Sequence, residues 1–337
     1  LQNNTTGISN SAFGNGALKL NITGRNNSAF GDGTLFNNTG SFNSAFGAYA
    51  LNENTANSNS AFGYATLNAN TTGYNNIAFG NRALEKNTTG YFNTALGDVA
   101  LRYNKIGNSN TAVGRGALNA NTGNRNTAVG NGALEKSLGS FNTAVGDGSL
   151  GANIIGEYNS ALGKDSLLKA TGSYNTALGF GAGNTLTTGT NVTCLGYSAQ
   201  SSTAFVQNEI TLGNSSVNTL RCNATTISSL SDRRDKTDII NLESVLPFVD
   251  ELKPVSFTWN QRDGNKSGNS DIGFIAQDLL EAQKNTNFTV PGLVYDVNPE
   301  KLEASYGKLI PILVKAIQEL SVANKLLEDR IKILEDN

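Results

Sequence analysis

Few residues in this chain can do covalent chemistry, and their types narrow what that chemistry is. The 337 residues include no histidine, so the commonest general base and metal ligand is missing. Two cysteines, Cys194 and Cys222, are too few for a zinc cluster and read as small packed side chains rather than a disulfide. Without histidine a nucleophilic hydroxyl must take its base from elsewhere, and a serine–lysine pair is one solution. Ser231 and Lys236, in Ser231-Asp-Arg-Arg-Asp-Lys236, are such a candidate. A lysine acts as a base only when neutral, a state that burial favours. Arg233 and Arg234 could favour the same state or hold an oxyanion. Five residues apart, the two side chains face different ways on a helix or a strand, so a bent backbone must bring them together. On the bland reading Ser231-Asp232 simply caps a turn, and the spacing alone is common by chance. Glycoside hydrolysis needs two carboxylates facing one bond. Asp32, Asp98 and Asp147 instead occur singly in separate copies of a repeat, which argues against a polysaccharide-degrading enzyme.

That repeat dominates the chain and must supply the scaffold. It reads Asn10-Ser-Ala-Phe-Gly14, Asn27-Ser-Ala-Phe-Gly31, Asn43-Ser-Ala-Phe-Gly47 and Asn59-Ser-Ala-Phe-Gly63. Variants continue through Thr111-Ala-Val-Gly114 and Thr176-Ala-Leu-Gly179 to Thr193-Cys-Leu-Gly196, where Cys194 replaces Ala. Successive glycines lie 16 or 17 residues apart over residues 1–200, giving about twelve units. Beyond most glycines comes a second apolar pair, as in Ala17-Leu18, Ala50-Leu51 and Ala117-Leu118, and turns such as Asn70-Thr-Thr-Gly73 separate the pairs. Each unit is therefore expected to hold two short strands and two turns, with Gly and Asn supplying positive φ. Such a unit is too short for a helix pair but fits one coil of a solenoid stacked at about 4.8 Å. Neighbouring strand residues point to opposite faces, yet Ala and Phe of each motif are both apolar. One of them must form a continuous outer stripe, which monomers rarely show. The stripe is expected to be buried between identical chains, with the face left unassigned. Asn-x-Thr/Ser triplets arise from turn composition and are not taken as glycosylation acceptors.

Composition excludes several classes. With a formal charge of −2 and 15% charged residues, no basic stripe is present to neutralise nucleic acid. No apolar run of about 18 residues exists, so membrane insertion is not expected. No cofactor or metal is expected. A chain that starts at Leu1 and has no Met reads as a fragment or a processed product.

The repeats resemble the head repeats of trimeric bacterial adhesins of the YadA type, and those of many phage tail fibres. This implies a trimeric parallel β-roll or β-solenoid. After a decaying unit, Ile210-Thr-Leu-Gly213, charge rises and glycine falls. Residues 201–230 read as last coil and connector, and 231–337 as a separate small α+β domain. There Ser231-Asp-Arg-Arg-Asp-Lys236, Leu252-Lys-Pro-Val-Ser-Phe-Thr-Trp259, Gly273-Phe-Ile-Ala-Gln277 and Tyr306-Gly-Lys-Leu-Ile-Pro-Ile-Leu313 follow in order. The series resembles the intramolecular chaperone domain of phage endosialidases and tail spikes, peptidase S74. The resemblance implies a domain that trimerises, guides folding of the fibre before it, and then cuts itself off. It puts the nucleophile at Ser231, the general base at Lys236 and the cut between Leu230 and Ser231. This is a single-turnover serine autoprotease, with no turnover activity expected in the repeats.

Residues 307–337 read as a coiled-coil helix. Ile310, Ile317, Asn324 and Ile331 share one seam position, and Leu313, Leu320, Leu327 and Leu334 the other. Ile at a with Leu at d favours two strands, whereas the family implies three, and a polar Asn324 sets register at some cost in stability. The trimer is preferred because symmetry must match along a fibre. Near-identical coils allow many registers of similar energy, so an assembly aid at one end has a physical purpose, and cleavage would trap the product kinetically. The expected protein is a virion tail fibre or extracellular surface fibre that binds a host receptor or glycan. A secreted bacterial adhesin is the nearer alternative. Tyr49, Tyr64, Tyr74, Tyr91 and Tyr103 could stack on sugars, though variable turn residues are the plainer reading.

Overall fold

The computed structural model describes residues 1–217, 219–221, 231–260 and 268–336, in two compact units, Leu1–Asn214 and Ser215–Asn337. In the first unit each repeat forms one coil of a parallel β-solenoid. Its strands are β1 (Ser11–Phe13), β2 (Ser28–Phe30), β3 (Ser44–Phe46), β4 (Ser60–Phe62), β5 (Ile77–Phe79), β6 (Thr94–Leu96) and β7 (Thr111–Val113). The series continues through β8 (Thr127–Val129), β9 (Thr143–Val145), β10 (Ser160–Leu162), β11 (Thr176–Leu178), β12 (Thr190–Leu195) and β13 (Gln207–Leu212). All thirteen make one sheet in chain order, every pair parallel and in register, Ala on Ala and Phe on Phe. Period-two alternation settles which face is which. The middle Ala of the triplet points in and is buried from Ala29 to Ala177, and the Phe, Leu or Val after it points out.

The second apolar pair is not a strand, contrary to the two strands expected per unit. In ten coils its Leu, from Leu18 to Leu167, sits in the left-handed region at φ 48–51°. The flanking amides bond back three residues, as Ala117 N–H to Gly114 O and Asn119 N–H to Gly116 O. Leu118 N–H reaches across to Ala133 O of the next coil. A left-handed Leu costs about 1–2 kcal/mol, whereas full burial of its side chain returns about 1.5–3 kcal/mol. Burial wins narrowly, and these leucines are fully inside.

Polar side chains form the rest of the core. Asn10, Asn27, Asn43 and their counterparts down to Asn175 make one ladder. Each side-chain Oδ1 accepts the backbone N–H of the corresponding residue in the next coil, and from Asn27 to Asn175 each Nδ2 donates to a turn carbonyl, as Asn110 does to Gly123 O at 3.0 Å. A second ladder, Asn4 to Asn121, runs Nδ2 to Oδ1 between coils and caps its own turn. From Asn21 and Asn27 onward these side chains have no exposed surface, so every buried amide needs such partners. The path from first-ladder to second-ladder residue is always 11 residues, as Asn10 to Asn21 and Asn110 to Asn121. Variation between 16 and 17 residues falls only in the remaining turn, Asn-Thr-Gly against Asn-Thr-Thr-Gly. Cys194 takes an Ala position, fully buried and unpaired; burial and then Glu209 push its thiol up to about 11. Cys222 lies outside the described residues.

The second unit packs α1 (Leu246–Glu251), α2 (Ala276–Thr286) and the start of α3 (Leu309–Glu335) around Val245, Phe248, Leu279, Leu293 and Ile312. Two antiparallel pairs accompany them: β14 (Val255–Thr258) with β15 (Ser270–Gly273), and β16 (Val294–Tyr295) with β17 (Glu303–Ala304). Asn287 ends α2 in the left-handed conformation at φ 53°. Glu319 of α3 reaches across to α1, accepting from Ser244 Oγ at 3.1 Å and from the Val245 and Leu246 amides. This satisfies N-terminal donors of α1 that have no intrahelical acceptor. Beyond Glu319 the helix is exposed on all sides.

Candidate functional site

The candidate site is a sharp bend at the start of the described part of the family-like region. Arg233–Asp235 form a single 3-10 turn. Asp232 caps it: its carboxylate accepts the Arg234 N–H at 2.8 Å and pairs with the Arg234 guanidinium at 2.7 Å. The Lys236 N–H closes the turn on Arg233 O, and Lys236 itself is extended. Reversal of the chain within five residues brings together side chains that a regular helix or strand would splay apart. Lys236 Nζ lies 2.5 Å from Ser231 Oγ and 3.4 Å from Ser231 O.

Charge at the bend is partly spoken for. Hydrogen bonds from the Arg234 side chain, then from its amide, hold the Asp232 carboxyl below the usual carboxylate range, and Asp232 raises Arg234 in return. Arg234 thus stabilises the turn rather than facing the serine. Ser231 and Lys236 are both exposed, and among the described residues none supplies the burial expected to favour a neutral lysine. Leu230 lies outside the described residues.

The other candidates stay apart. Asp32, Asp98 and Asp147 stand in separate coils, and each accepts an amide from the Asn one coil earlier, Asn15, Asn81 and Asn131. Tyr49 meets Tyr64 edge-on, Tyr74 stacks on Tyr91 at 5.0 Å, and Arg102 lies over Tyr103. Among the described residues no group of His, Cys, Asp and Glu is placed to hold a metal, and no helix is long and apolar enough to cross a membrane. On α3, Ile310, Leu313, Ile317, Leu320, Leu327, Ile331 and Leu334 are exposed, with Ile317 at 65%. The predicted seam faces solvent in one chain.

Residues 231–288 match the family model Peptidase_S74, described as chaperone of endosialidase. No curated protein and no solved structure matches the chain. The match begins at Ser231 itself and spans the serine–lysine bend, α1, β14, β15 and α2. The chain therefore carries, C-terminal to a parallel β-solenoid, a region that matches the chaperone-of-endosialidase family model over residues 231–288.

Proposed function

We propose that this is a homotrimeric, tail-fibre-like surface protein whose C-terminal domain directs assembly of the solenoid and then severs itself between Leu230 and Ser231. The observation that carries the reading is the contact of Ser231 Oγ with Lys236 Nζ at the first residues of the chaperone-family match. In the proposed step neutral Lys236 takes the Ser231 hydroxyl proton as Oγ bonds to the Leu230 carbonyl carbon. The Leu230–Ser231 C–N bond then breaks, and its nitrogen receives that proton. Water hydrolyses the resulting ester, leaving a Leu230 carboxylate and a free Ser231 hydroxyl and amine. Lysine must be neutral to begin, and water exclusion favours that state. Since both side chains are exposed in one chain, assembly is the event that would cover them.

Trimer formation is supported by the unpartnered seam on α3 and by the outer apolar column of the solenoid. The host surface is the proposed target, a receptor or glycan. The test is expression of the full chain beside Ser231→Ala and Lys236→Ala, read on a denaturing gel and by light scattering. The expected result is two fragments from the wild type and one intact band from each variant. A trimeric wild type that stays uncut overturns the cleavage step, and a monomeric one overturns the assembly.

A further inference from the structure

The outer face of the thirteen-stranded sheet carries two columns whose sizes vary against each other. In β2 to β12 the first and third residues of the triplet point outward and the middle one, Ala or Cys194, is buried. Ser stands first where Phe stands third in β1 to β4; Thr stands first where Val stands third in β7 to β9. Leu, of intermediate size, follows Thr in β6 and β11 and Ser in β10. Both members are large only at Ile77 with Phe79 and at Ile210 with Leu212. In one chain these columns face water, Phe79 at 54% and Leu178 at 48% exposure. Water imposes no relation between the sizes of two exposed neighbours. A close-packed partner does, because voids and overfilling are both destabilising.

We infer that this face is held at constant separation against further copies of the same chain, with the two columns jointly filling the gap at each level. The inference rests on the trimeric reading and adds which face meets which partner. Contact at every level needs a partner with the same coil spacing of about 4.8 Å, which a second copy has by construction. The unlike ends of the outer column, Phe in β1 to β5 and Leu in β10 to β12, also give the face a direction. Parallel copies in register set equal levels together, whereas an antiparallel copy sets the Phe end against the Leu end.

The test is packing compensation in the full chain. Val129→Phe overfills its level and is expected to lower the melting temperature of the assembly by several degrees; adding Thr127→Ser is expected to recover most of the loss. Phe46→Val underfills its level, and adding Ser44→Thr is expected to recover part of it. Phe46→Val alone only shrinks an outward side chain, so failure to fold does not confuse the result. Inheritance of neighbouring repeats by duplication would give the same pairing without coupling. Strictly additive effects in chains that remain trimeric by light scattering overturn the inference and leave the trimer standing. A monomeric wild type overturns the trimeric reading itself.

Discussion

Replacing Asn110 with Ala is the sharpest test of what holds a coil in place. Its side chain has no exposed surface. Its Nδ2 donates to Gly123 O at 3.0 Å and to Asn93 Oδ1 at 3.2 Å, and its Oδ1 accepts the Asn126 N–H at 3.0 Å. Truncation leaves the Asn126 amide buried without a partner, at a cost of about 1–3 kcal/mol, whereas Gly123 O keeps the Asn121 Nδ2 bond at 2.8 Å. That loss, about 2 kcal/mol, falls on the interface between consecutive coils. In a stacked array such a loss is local, so one unfolding midpoint is the wrong readout. Hydrogen exchange of peptides covering residues 110–126 should report it, with opening favoured roughly 30-fold over wild type. Asn124→Ala is the control: Asn124 is exposed, its Oδ1 accepts the Asn108 N–H at 2.8 Å, and water can replace it. The control is expected to cost less than about 1 kcal/mol. Exchange in Asn110→Ala that matches the control would refute the ladder as the element that fixes stacking.

Four further outcomes follow from particular contacts. Gly114→Ala should disrupt its coil, because at φ 129° an added Cβ meets Gly130 O at 2.5 Å; Gly116→Ala, with nothing within 4 Å at φ 66°, should cost only about 1–2 kcal/mol by thermal melting. Glu319 is pulled upward by partial burial, but hydrogen bonds from Ser244 and the Val245 and Leu246 amides, with Lys315 beside it, hold its carboxyl below the ordinary range. A depressed folded-state pKa stabilises above the ordinary carboxylate range and is lost as pH falls through the folded value. Melting of the C-terminal unit should therefore weaken in acid, and this component should be absent in Glu319→Gln. Lys236→Arg should leave the chain uncut on a denaturing gel, since arginine keeps its proton. Asn324→Ile should raise the melting temperature of the assembly while broadening its oligomeric state by light scattering, as loss of a polar seam residue does in coiled coils.

How much of this was legible depends on which residue types carry one meaning. Ser-Ala-Phe-Gly alternates with period two and is bounded by Gly, so its strand and coil were readable. Ala117-Leu118 carries the same apolar signal, but its backbone was not readable: left-handed Leu is disfavoured locally and is held only by burial that the coil supplies. Asn was read as a turn former, and its ladder was missed because the residue suits both roles. The constant 11-residue step from Asn10 to Asn21, repeated while total coil length varies, was the available signal. Free turns drift in length; a residue bonded to its counterpart above and below cannot. At the candidate site the need for a bend was readable from the Ser231 to Lys236 spacing, whereas the Asp232–Arg234 cap that makes it was not.

The ladders also explain why assembly, rather than coil formation, is the difficult step on the proposed reading. Within one chain the stacking register is set by connectivity, since Asn126 can reach the Oδ1 of Asn110 only if one coil separates them. Irregular rungs, Ser137 in the second ladder and Val192 ending the first, do not alter that order. Between chains connectivity sets no register. A slip of one coil keeps Phe level with Phe over β1 to β5 and Val with Val over β7 to β9, so mismatches arise only where the blocks change. Few mismatches over thirteen levels make a shallow preference and many near-degenerate registers. On the proposed reading, a separate domain that joins the chains in one alignment would remove that degeneracy before the solenoid faces meet. Cutting it away at Ser231 would then leave the fibre with no low-barrier route back, which is kinetic rather than equilibrium stability.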